Sequence, residues 1–84
     1  MVKMTRDDVL ENLRKQNPTW KMDILVMYAD MYMDYQEAAD NIRENGAVVA
    51  HPKTGAPFDN PYMRVRQQMQ VALSKIKINT DGLW

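Results

Sequence analysis

Residues 24–46 read ILVMYADMYMDYQEAADNIRENG. Within them Ile24, Tyr28, Met31, Tyr35, Ala38 and Ile42 recur at spacings of four, three, four, three and four. That rhythm places all six side chains on one narrow face of an α-helix. Asn45-Gly46 then ends the helix, since glycine accepts the positive φ that a helix C-terminus requires. Working outward, a second stripe follows after a punctuated loop: Tyr62, Val65, Met69, Ala72 and Ile76, at spacings of three, four, three and four. Two apolar seams joined by a short connection predict a mainly all-α fold built on an antiparallel helical hairpin.

The flanking segments complete the expected layout of a single domain over residues 1–84. Thr5 can cap a short helix over about 6–16, with Asp7, Asp8 and Glu11 at its positive end. Asn17-Pro18 stops it. The long helix is expected over about 18–45, capped by Asn17 or Thr19 with Pro18 in its first turn. At 1.5 Å per residue, about 25 helical residues span roughly 38 Å, longer than a small domain needs for itself. The loop 46–59 carries Val48-Val49 and Pro57-Phe58 around a proline–glycine turn, which predicts a small β-hairpin. An isolated hairpin is marginal in water, so Val48, Val49 and Phe58 are expected to pack on the helices. Asn60 as cap and Pro61 as first residue open a third helix over about 61–78. Residues 79–84 form a turn and a tail, with Leu83-Trp84 either frayed or docked.

Bulk composition narrows the function classes. A chain of 84 residues buries roughly 60–65% of its unfolded surface, which leaves a thin core that self-association often supplements. Cysteine is absent, which excludes disulfides and thiolate metal sites. The amino terminus has no apolar core of a secretory signal, and no segment is apolar for long enough to span a bilayer. A soluble, cytoplasmic protein without membrane contact is expected.

The 11 basic and 11 acidic residues cancel, but they are segregated. Residues 22–45 hold Asp23, Asp30, Asp34, Glu37, Asp40 and Glu44 against Arg43 alone, whereas residues 61–78 hold Arg64, Arg66, Lys75 and Lys77 and no acid. Two readings follow. The faces are complementary solvated surfaces, or the basic one meets phosphate once several copies sum it.

Catalytic chemistry has little to stand on. The three glycines form no Walker or dinucleotide pattern, His51 is the only histidine, and Ser74, the only serine, lies in a helix without a histidine beside it. Asp30, Asp34 and Glu37 share a face and can in principle hold a hard cation. A solvated acidic face pairing with Arg64 or Arg66 explains them as well, and no metal or cofactor is expected. Eight methionines either widen the core or give a soft contact surface, Met27 and Met33 being those off the main seam. Tyr28, Tyr32 and Tyr35, with Met31 and Met69, are the expected oligomer interface, because tyrosine hydroxyls suit a wet contact.

The run from Tyr28 to Gly46, followed by Val48-Val49, Thr54-Gly55 and Asn60-Pro61 leading into a helix with Arg64 and Leu73, resembles the small subunit of a tailed-phage terminase, of the short type. The likeness covers residues 24–78. Members of that family usually run on past the last helix and carry a helix-turn-helix before the long one; here Trp84 closes the chain and one short basic helix comes first. The resemblance implies a non-enzymatic DNA-packaging protein of the host cytoplasm, a ring-forming homo-oligomer whose partners are double-stranded viral DNA and the terminase large subunit. It also implies phosphate contacts from Lys3, Arg6, Arg14, Lys15, Arg64 and Arg66. The alternative is a small helical protein-binding adaptor or regulator with no nucleic-acid contact.

Overall fold

Helix α1 covers Arg6–Gln16 and opens on a reciprocal cap. The Asp8 amide donates to the Thr5 hydroxyl at 3.2 Å and the Thr5 amide donates to the Asp8 carboxylate at 3.1 Å, which satisfies two orphan donors at once. Arg14 and Lys15 in its last turn suit the negative end of the helix. The computed structural model describes residues 4–84.

Helix α2 covers Met22–Asn45 and therefore starts four residues later than the sequence suggests. Neither Asn17 nor Thr19 caps it; Lys21 occupies that position without a side-chain bond. The reason lies in Asn17, whose amide is engaged with Leu13 behind it and Asn79 far along the chain. Pro18 belongs to the turn between the helices, in which the Trp20 amide donates to the Asn17 carbonyl. At the other end Gly46 has φ 87° and ψ 167°. The sign of φ is as expected, but this ψ is an extended mirror-image conformation that glycine alone adopts readily.

Strands β1 (Val48–Ala50) and β2 (Pro57–Asp59) pair antiparallel, with Val49 opposite Phe58 and Ala50 opposite Pro57. Packing of the hairpin differs from expectation. Val48 and Phe58 are exposed and only Val49 is half-buried. Polar bonds at the base anchor the hairpin instead. The Asn60 amide donates to the Ala47 carbonyl, and the buried Asn60 side chain donates to Asn41 at 3.0 Å and to the Gly46 carbonyl at 2.9 Å.

Helix α3 covers Tyr62–Ser74. The Tyr62 amide donates to Asn60 Oδ1 at 3.0 Å, and Pro61 already has helical angles, so Asn60-Pro61 acts as cap and first residue. The helix ends about a turn early. Its last bonds, Lys75 to Ala72 and Ile76 to Leu73, are of the tighter i→i−3 kind. Beyond them the chain straightens, and Ile76 and Ile78 reach the core from a non-helical segment.

The α2–α3 pair is the expected antiparallel hairpin, but α2 carries two seams. Val9 and Leu13 of α1 join Leu25, Tyr28, Ala29, Tyr32, Leu73 and Leu83 in one core. Leu25, Ala29 and Tyr32 are displaced by about 100° from the seam that meets α3. The tail is docked. The buried Tyr32 hydroxyl donates to the Leu83 carbonyl at 2.7 Å, and Trp84 stands edge-on to Tyr32 and Tyr35 while its indole N–H donates to Tyr28 at 3.3 Å.

Candidate interaction surfaces

Two grooves present cations. The first lies where α1 turns into α2 and is lined by Glu11, Arg14, Lys15, Asn17, Pro18, Trp20, Met22 and Leu25, enclosing about 460 Å³. Trp20, in the connection from Asn17 to Lys21, is 38% exposed. Lys15 makes a loose pair with Glu11 at 3.5 Å, and Arg14 has no carboxylate partner among the described residues. An exposed pair of that kind holds its charges weakly. Two cations beside an exposed aromatic ring suit an anionic chain that also offers planar groups.

The second groove, about 590 Å³, runs between β2 and α3. Phe58, Met63, Arg64, Arg66, Gln67 and Gln70 are among its walls. Neither arginine has a carboxylate partner among the described residues.

The residues expected to meet phosphate are not gathered into one patch. Lys3 lies outside the described residues. Arg6 is bound to Asp30 through its Nε, and this bond and the carboxylate's charge raise its pKa further. Its charge is thereby answered within the chain. Arg14 and Lys15 stand at the Asn17 end of the molecule. Arg64 and Arg66 stand toward the hairpin end, in a molecule 52 Å long. No clustering signal in the sequence predicts this split, because it depends on how α1 folds back along α2.

The expected interface residues divide similarly. Tyr28 and Tyr32 are 3% and 5% exposed, so their rings belong to this chain's own core. Burial pushes the Tyr32 hydroxyl pKa up. Met31, Tyr35 and Met69 are half-buried and keep an edge outward. Asp34 and Glu37 are exposed, and among the described residues no group of three or more metal-ligating side chains comes together. Trp20, which the sequence groups with Tyr28, Tyr32 and Tyr35 at the head of the long helix, lies instead in the turn before it, and Gln67 and Gln70 are groove residues that no sequence signal marks.

A family model described as phage terminase, small subunit, matches residues 3–79. No curated protein and no solved structure matches the chain. No helix among the described residues is long and apolar enough to cross a membrane.

Proposed function

Because the chain belongs to the phage terminase small-subunit family, matched over residues 3–79 of 84, we propose that it is the non-catalytic partner in viral DNA packaging. In this reading it gathers into a homo-oligomeric ring in the host cytoplasm, engages double-stranded DNA at the packaging site and regulates the large subunit. Family membership carries the reading. The first groove supplies it with a contact surface, since Arg14 and Lys15 are exposed cations and Trp20 lies beside them. Arg66, in the second groove, adds a further cation. Arg6 contributes little, because Asp30 already balances it.

So few cations give one copy a weak hold on phosphate. Joining copies raises the effective concentration of every further contact, which is what a ring provides. Phosphate contacts position a protein without reading sequence, so site selection needs groove contacts or deformable DNA as well.

The test is light scattering with and without duplex DNA, followed by a salt titration of binding. The reading expects a species above dimer and an affinity that falls steeply with salt. Replacing Arg14 and Lys15 by glutamate should lower the slope of log affinity against log salt by about two. A monomer indifferent to DNA at low salt defeats the reading and leaves the protein-binding adaptor in its place.

A further inference from the structure

The outward faces of α2 and α3 carry two exposed stripes, in one of which Asp30 is already paired with Arg6 of α1. On α2 the stripe is Asp23, Met27, Asp30 and Asp34, spaced four, three and four, and all four residues are exposed. On α3 and its C-cap it is Arg64, Gln68, Val71 and Lys75, with the same spacing, and again all four are exposed. Met27 and Val71 are each 49% exposed, unusual for apolar side chains with a core close at hand. No acid interrupts residues 61–78 and no base interrupts residues 22–42.

Set antiparallel, the two stripes match position by position. Val71 opposite Met27 places Arg64 opposite Asp34, Gln68 opposite Asp30 and Lys75 opposite Asp23. Each cation meets a carboxylate, the Gln68 amide meets the Arg6–Asp30 pair, and the two apolar residues meet each other. Within one chain this match cannot form, because α2 and α3 already face each other through their inner seams.

We propose that α3 of one copy lies along α2 of the next in this antiparallel register, so that the chain assembles head-to-tail through its own charge asymmetry. This rests on the reading above that the protein self-associates, and it names the faces that meet. In each copy α3 runs antiparallel to its own α2. An α3 that is also antiparallel to the next copy's α2 makes all the hairpins point the same way. A rotation about an axis parallel to the hairpins generates that arrangement, so the contact is heterologous and closes into a ring when the turn per copy divides the circle. Arg64 is then a subunit contact, and Arg14 and Lys15 remain free for an anionic ligand.

Two double variants provide the test. Asp23→Lys with Asp34→Lys makes both stripes basic; Arg64→Glu with Lys75→Glu makes both acidic. All four positions are exposed, so each variant should keep its helical circular dichroism. Sedimentation velocity should find the wild type assembled and each variant alone at least about tenfold weaker in self-association, since attraction becomes repulsion at two pairs. An equimolar mixture of the two variants should reassemble, because every contact again joins opposite charges. The chain carrying all four substitutions should assemble alone. If both double variants assemble as the wild type does, or if neither the mixture nor the fourfold variant recovers, the interface is elsewhere and the register is wrong, while self-assembly stands. A wild type that stays monomeric at every concentration overturns the register and the self-assembly reading together.

Discussion

Replacing Asn17 by alanine should cost far more than its place in a turn suggests. The side chain donates to the Leu13 carbonyl at 3.0 Å and to the Asn79 carbonyl at 2.7 Å, and accepts from the Asn79 amide at 2.7 Å. It is 5% exposed. Each neutral hydrogen bond is worth about 1 kcal/mol net, and the partners left behind lose more where water cannot reach them, so the loss should be roughly 2–3 kcal/mol. A chain of 84 residues holds about 4–13 kcal/mol in total. For a domain of this size about 1 kcal/mol moves Tm by 4–8 °C, which predicts a fall of roughly 10–20 °C. Thermal circular dichroism and urea titration measure it. Trp84 provides a local readout, because releasing Asn79 frees the segment that presses the indole against Tyr32 and Tyr35. Asn17→Asp sharpens the test. It keeps an acceptor for the Asn79 amide but turns a carboxylate oxygen toward the Leu13 and Asn79 carbonyls. Folding therefore raises the aspartate's pKa, and the variant should be more stable near pH 4 than near pH 7, since the protonated form favoured by the fold is lost as pH rises. An alanine variant within about 0.5 kcal/mol of wild type, or an aspartate variant equal to wild type at pH 7, refutes the clasp.

Leu13→Ala empties a position with no solvent exposure in the core shared by α1 and α2 and should cost about 2–5 kcal/mol by urea titration. Asn60→Ala removes the α3 cap and both bonds to the base of the hairpin; a loss of about 2–3 kcal/mol is expected, together with faster amide exchange in β1 and β2. Tyr32→Phe leaves the Leu83 carbonyl without its donor and should cost about 1 kcal/mol at neutral pH. Because burial raises the Tyr32 pKa in the fold, the wild type holds that proton more tightly when folded and should lose stability as pH climbs above about 10; the phenylalanine variant should lose less over the same range.

The helical hairpin was readable because each of its rules is local. A four-three spacing fixes a face, Asn60-Pro61 starts a helix with a side chain and a ring, and Gly46 ends one by taking a φ that other residues avoid. What the sequence could not show depended on partners far along the chain. Asn17 reads as a cap for α2, and is one by composition, but Asn79, 62 residues later, holds its amide. Leu25, Ala29 and Tyr32 also repeat at four and three. They look like spill-over from the first seam until α1 and the tail arrive to cover them.

The same distinction explains why the expected interaction residues fall into different settings in the fold. Counting bases along the chain puts Arg6 with Arg14 and Lys15 as equals. Folding α1 back along α2 sets Arg6 against Asp30 and removes it from the set. Counting tyrosines puts Tyr28 and Tyr32 at a subunit contact, because an aromatic with a hydroxyl suits a half-wet surface. Both hydroxyls instead bond within the chain, Tyr32 to the Leu83 carbonyl and Tyr28 from the Trp84 indole, so a tail of two apolar residues satisfies them without a second copy. Once α1, α3 and the tail have covered the seams of α2, the faces left outward mix charges with single exposed apolar side chains such as Trp20, Met27 and Val71. The proposed contacts with other copies and with DNA therefore draw largely on charge, and both should weaken as salt rises.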